Sequence, residues 1–296
     1  MYDNVYRVFE KPIKERIIAY QLVADSSANV YTMPHVAFRS VPLKIITTQA
    51  EYLDDPTLDV EAMVNEIKET KGKSGTSCPN VQDWLDAYQG ADRIFALTIT
   101  GNLSGSYAAA VQAAQDYEAE NPGAKVCVLD SLSAGPELGL TLDKLQQWIL
   151  EGRDFDQIAA DIKLYQSHTH LAFSLESLTN LARNGRVSPA VAKIAGVLGI
   201  RIMGVASDEG TLEPLHKCRG EKKALEAIVS EMEKRGYAGG KVRIAQCFNP
   251  NGAAQLRDMI LSRWPNGSVS IEPCGALCSF YAERGGMLVG FEDAEA

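Results

Sequence analysis

"RIFALTITGNLSGSYAAAVQAA", residues 93–114, joins an unbroken apolar run to an alanine-rich run through a loop containing two glycines, two serines and an asparagine. An apolar run of this length without alternation predicts a strand buried on both faces, and the alanine-rich run predicts a helix. Strand, polar loop and helix in that order define an α/β unit. The loop glycines let backbone N–H groups approach a ligand, and the start of the following helix favours an anion. A nucleotide is excluded on pattern. Gly101 and Gly105 lack partner glycines in the GxGxxG register, and no GK[ST] follows.

The same alternation extends outward on both sides. A strand over Ile17–Ala24 ends in the polar turn "DSSAN", followed by the β-rich run "FRSVPLKIITT". "DVEAMVNEIKET" has Val60, Met63, Val64 and Ile67 at helical spacing. Gly75 to Asn80 is expected to be a loop, with Asn80 capping a helix that buries Val81, Trp84, Leu85 and Tyr88. "AKVCVLDS" is a further buried strand, followed by the loop "DSLSAGPELG" and the helix "LTLDKLQQWILEG". In such a doubly wound sheet, ligands bind outside the carboxyl ends of the strands. The loops DSS, TSCPN, GNLSGS and DSLSAG all fall there.

Beyond residue 152 the pattern predicts the helix "DFDQIAADIKLYQSH", the strand "THLAFSL", two short helices joined by "RNGRVS", and a hairpin turning at "DEG". The helix "KKALEAIVSEMEKRG" and the strand "KVRIAQCF" follow, and "GALCSFYAERGGMLVGF" reads as strand, polar turn, strand. The expected architecture is therefore two α/β domains with the ligand between them. Residues 1–152 form a doubly wound, mostly parallel domain bearing the polar loops. Residues 153–275 form a second α/β domain with a mixed sheet, and 276–296 return to the first.

A chain of 296 residues with 46% hydrophobic content can bury two ordinary cores. Its net charge of −9 argues against nucleic acid, and the basic knot "HKCRGEKKAL" contains an acid and reads as a helix start. No stretch is long and apolar enough to span a bilayer, leaving at most transient contact with a membrane surface. The N-terminus lacks the basic-then-apolar order of a signal peptide, so the cytoplasm is expected. Six cysteines without a CxxC pair and only four histidines argue against a metal cage, and neither metal nor cofactor is expected.

Two chemistries remain open for the serine-rich loops. A hydrolase or transferase using a serine of the LSGSY loop needs a base, yet the GxSxG elbow is absent and no histidine is tied to a serine by sequence. Hydroxyls without a partnered base suit binding better: Thr76, Ser77, Ser104 and Ser106 could hold a carboxylate. Taken singly, Thr76 and Ser104 read equally as helix caps.

The ordered set "VADSSANV", "GTSCPN", "TITGNLSGSYAAAVQAA", "VLDSLSAGPELG", "LESLTNLARNGRVS" and "KCRGEKKAL" resembles the DegV family over nearly the whole chain. The resemblance implies two α/β domains clasping a long-chain fatty acid. Its carboxylate would meet Thr76 and Ser104, with Ser77 and the Gly105 N–H close by, and Asp25 and Ser26 in the same neighbourhood. It further implies a carrier that is not itself the catalyst and that presents the lipid to a fatty-acid kinase. Arg186 and Arg219 match characteristic basic positions, open between contact with the lipid, a partner and the structure, and Lys222 and Lys223 would serve a partner or the structure. Tyr281 stands where many members place a histidine that helps bind the carboxylate, and Cys78 where a glutamine is common.

Overall fold

A computed structural model describes residues 18–69, 72–188, 191 and 199–296. The expected start of the first strand at Ile17 and the second of the two short helices around "RNGRVS" lie outside these residues. The first sheet has the order β2-β1-β6-β7, all parallel, from Ala37–Val41, Tyr20–Asp25, Arg93–Thr98 and Lys125–Asp130. Its strands alternate between two cores. Leu22, Ala24, Phe95 and Leu97 face one side, while Val23, Ile94 and Ala96 face the other. That two-sided burial is why "RIFALT" is apolar throughout.

Helices α2 (Val81–Tyr88) and α3 (Ser106–Glu120) cover one face. Asn80 opens α2 as expected: its side chain accepts from the Asp83 N–H at 3.1 Å, and Asp83 accepts from the Asn80 N–H at 2.8 Å. Helices α4 (Pro136–Leu150) and α5 (Phe155–Gln166) cover the other face. The run "FRSVPLKIITT" breaks at Pro42 into β2 and β3 (Lys44–Thr47). A small antiparallel sheet of order β4-β3-β5 joins Glu51–Leu53 and Ser74–Ser77 to β3, with α1 (Val60–Glu69) between them in sequence. Gly75, Thr76 and Ser77, read as part of a loop, therefore belong to an edge strand paired with β3.

The second sheet is mixed and has the order β10-β9-β8-β13-β11-β12. Its strands are β8 (Thr169–Leu175), β9 (Ile200–Ala206), β10 (Leu212–Arg219), β11 (Lys241–Gln246), β12 (Ser268–Pro273) and β13 (Met287–Glu292). The β9–β10 hairpin turns at Gly210 with φ +74°. One face packs on α7 (Glu221–Lys234) and α8 (Pro250–Arg263) through Met203, Val205, Ile244, Val289 and Phe291. The other face carries Leu171, Phe173, Leu175 and Leu288 toward the first domain.

Three readings of the chain are corrected. Phe155, Ile158, Ile162 and Tyr165 of α5 share a core with Leu22 and Phe95, so α5 belongs to the first layer although it begins after residue 152. The final strand β13 does not return to the first domain; it lies between β8 and β11 at the centre of the second sheet. "ALCSFYA" forms a helix, α9 (Ala276–Ala282), because six of its seven side chains are buried among neighbours on every side, erasing any alternation.

Helix α4 is enclosed from both directions, with Pro136 to Leu142 all buried. An added Cβ on Gly290 of β13 would lie 2.6 Å from the Glu137 nitrogen, which shows how closely strand and helix approach. Glu137 accepts hydrogen bonds from Ser133 Oγ and from Thr169 Oγ1 (2.9 Å), linking α4 to β8. Burial pushes its carboxyl up from 4.5 to about 7 despite these donors. As pH rises through that window the unfolded chain sheds its proton first, so folding loses about 3 kcal/mol that is fully present only below the lower value. Glu137→Gln cannot titrate. Its stability relative to wild type should therefore rise by up to this amount between about pH 4.5 and pH 8, as read by urea denaturation at both ends.

Candidate functional site

The carboxyl ends of β1 and β6 converge on one buried acid. Asp25, with no exposed surface, accepts from the Ile99 N–H at 2.9 Å, from Ser106 Oγ at 2.6 Å and from Ser27 Oγ. Burial still pushes its carboxyl up to about 6. The effect is to tie the loop after β6 and the first turn of α3 to the end of β1. Ser26 Oγ accepts from the Leu43 N–H at 3.0 Å. Asp25 and Ser26 are thus spent on holding the loops and do not line the cavity beside them, which corrects their expected place among ligand contacts.

A second buried carboxylate positions α9. Asp54 accepts from the N–H groups of Ala276 (2.8 Å) and Leu277 (3.2 Å) and from the Tyr31 hydroxyl (2.8 Å). It therefore caps the helix from a distant part of the chain. Near the other end of that helix, Tyr281 places its hydroxyl 2.7 Å from Thr76 Oγ1 on β5. Thr76 sits within a strand, so the helix-cap reading of this residue fails. Ser104 Oγ accepts from the Ser106 N–H at 3.3 Å, a long contact that leaves the hydroxyl hydrogen available.

These groups surround one end of a cavity of about 330 Å³ between the two sheets. Thr76, Ser77, Ser104, Gly105, Arg186 and Tyr281 line it together. Arg186 donates to the carbonyls of Leu103 (3.2 Å) and Asn184, and among the described residues no carboxylate pairs with it. The remaining wall is overwhelmingly apolar, with Leu43, Ile99, Leu103 and Leu277 from one side and Leu171, Phe173, Leu175 and Leu288 from the second sheet. An apolar cavity with a polar end that includes a cation suits an amphiphilic anion.

Arg186 thus lines the cavity, where the sequence left it open between lipid, partner and structural roles. Arg219, Lys222 and Lys223 do not line it; they are exposed at the junction of β10 and α7, with Lys222 4.0 Å from Glu226. The wall residues were missed in the sequence, because the alternation in β8 places Leu171, Phe173 and Leu175 on one face without marking whether that face meets a helix or a chamber. Among the described residues no histidine lines the cavity, and His168 and His170 instead share Asp293 at 3.1 and 3.3 Å. None of the described helices is long and apolar enough to cross a membrane.

The family described as "Uncharacterised protein, DegV family" matches residues 19–293. The chain belongs to the DegV family. A DegV domain-containing protein of Streptococcus pneumoniae is 40% identical over 279 residues, covering 93% of this chain and 99% of the relative. Among solved structures, a DegV family protein from Eubacterium eligens loaded with heptadecanoic acid shares 44% identity at a TM-score of 0.91, covering 93% of this chain and all of that one. The Streptococcus pneumoniae Fatty Acid Kinase B3 protein loaded with linoleic acid shares 40% identity at a TM-score of 0.91, covering 93% and 99%. The two-domain architecture is the one these DegV structures share.

In this DegV chain the placement of Tyr281 depends on Asp54. Asp54→Ala leaves the Ala276 and Leu277 N–H groups and the Tyr31 hydroxyl without their acceptor in a site only 1% exposed. We expect a loss of about 2 to 4 kcal/mol in chemical denaturation, with Asp54→Asn, which retains one acceptor oxygen, losing less.

Proposed function

We propose that this protein binds a long-chain fatty acid and acts as a non-catalytic carrier in the cytoplasm that presents the lipid carboxylate to a fatty-acid kinase. The observation that carries the reading is the cavity itself, with its hydroxyls and Arg186 at one end and apolar walls beyond. The hydroxyls of Thr76 and Ser104 hold the carboxylate, with Ser77, the Gly105 N–H and Tyr281 beside them. Arg186 supplies the positive charge that offsets desolvation of the carboxylate. The acyl chain runs between the sheets, where each buried methylene contributes about 0.8 kcal/mol, so the walls provide most of the affinity and the polar end sets direction.

The relatives support this reading, since two of them at 40% identity or more hold fatty acids and one is named as a fatty acid kinase protein. Against the rival reading, a hydrolase or transferase using a loop serine, stands that among the described residues no histidine lines the cavity beside Ser104. Ser106 has no exposed surface and gives its hydrogen to Asp25, away from the cavity. The Thr76–Tyr281 contact explains how a tyrosine takes part where many relatives use a histidine: one hydroxyl accepts from the other, leaving a hydrogen to point at a carboxylate oxygen.

Native mass spectrometry of the protein purified from cells, followed by denaturation, should release a fatty acid at near-equal stoichiometry. Thr76→Ala and Ser104→Ala should each weaken rebinding of a fluorescent fatty acid by about tenfold, and Arg186→Ala by more, with the fold intact by circular dichroism. Unchanged affinity in all three would overturn the assignment of the polar end.

A further inference from the structure

The apolar wall contains one position where a missing side chain shapes the lumen. Phe173 of β8 lines the cavity and is 1% exposed. It is flanked in register by Leu288 of β13 and by Gly204 of β9. A Cβ built on Gly204 would lie 2.5 Å from Phe173 Cζ and 2.9 Å from Cε2, so the ring occupies the volume that any other residue would fill. Gly204 is not at positive φ, and its backbone conformation is open to any residue. Its glycine is therefore a matter of space.

The depth of this position follows from the strand. Beyond Leu175 the chain leads through α6 (Thr179–Arg183) to Arg186, and α6 binds α9 through Asn180 Nδ2 to the Phe280 carbonyl at 2.8 Å. Leu175 is thus nearest the polar end. Phe173 lies about 7 Å further in along the strand, and Leu171 about as far again. With its ring laid across β9, Phe173 leaves more lumen free at mid-depth than a ring standing upright from β8 would leave.

We propose that Phe173, positioned by Gly204, sets the width of the cavity at mid-depth and so selects acyl chains by their bend at that point. A straight saturated chain needs the same width throughout, whereas a cis double bond displaces the chain sideways and needs extra room where the bend falls. The inference rests on the fatty-acid reading of the cavity and adds to it the residue pair that discriminates among chains.

Stearic and oleic acids have equal carbon number and differ by one cis double bond. The test offers both in equal amount to lipid-depleted protein and reads the bound ratio by native mass spectrometry. Phe173→Leu and Phe173→Ala widen the lumen and should raise the oleate-to-stearate ratio by about tenfold or more, the scale on which a methylene-sized space discriminates. Gly204→Ala pushes the ring inward and should lower it. An added Cβ there also meets the Glu213 carbonyl oxygen at 2.4 Å, so if that variant does not fold, Phe173→Leu decides. A ratio within about twofold of wild type in the folded Phe173 variants, all binding both lipids, overturns the proposal and leaves Phe173 as ordinary packing. Wild-type protein that takes up neither lipid overturns the fatty-acid reading itself.

Discussion

Asp54 joins distant parts of the chain through a single buried carboxylate. Its carboxylate receives the N–H groups of Ala276 and Leu277 from 222 and 223 residues away, along with the Tyr31 hydroxyl. Four N–H groups at the start of a helix have no partner within the helix, and a buried start must find them elsewhere. Because α9 is enclosed, that requirement fixes where the helix begins and hence where Tyr281 lands, 2.7 Å from Thr76. The small sheet, the first turn of α9 and the polar end of the cavity are thus built as a unit around one carboxylate.

Asp25 plays a parallel part on the neighbouring loops. Both acids are withdrawn from water, and burial raises both carboxyls above their ordinary range. Their donors make the charged form tolerable at a cost in stability that a neutral residue would avoid. What they secure is a rigid rim around a chamber whose wall is largely apolar. Rigid donors at one end and a shaped apolar wall at the other divide the labour of recognition, with orientation set at the rim and shape discrimination along the wall. Arg186 completes the rim, holding the Leu103 carbonyl of the same loop that carries Ser104.

Much of this was legible in the sequence where one segment is enough to state a requirement. "RIFALTIT" announces a strand covered on both faces, and Asn80 announces the start of α2. The loops TSCPN and GNLSGS, with their order along the chain, pointed to one sheet edge and to the resemblance that the family match bears out. Where requirements were shared between distant segments, the local pattern misled. Thr76 read as a loop residue because the strand it belongs to is an edge strand of four residues whose pairing with β3 is not a local property. "ALCSFYA" read as a strand because its burial on all sides hides the helical period, and Asp25 read as a ligand contact because its partners, Ile99 and Ser106, are more than seventy residues away.

The sequence by itself determined the fold class, the alternation of strands and helices, the loops that carry hydroxyls at strand ends, and the family. Each of these is written in short-range periodicity or in residue types at fixed spacing, which a single segment specifies. Only the tertiary structure decided that β13 completes the second sheet, that Arg186 joins Thr76, Ser104 and Tyr281, and that Gly204 makes room for the Phe173 ring. Those outcomes depend on which faces of distant elements are brought together. An apolar strand buried on both sides has the same sequence signature whether one of its faces meets a helix or an enclosed cavity.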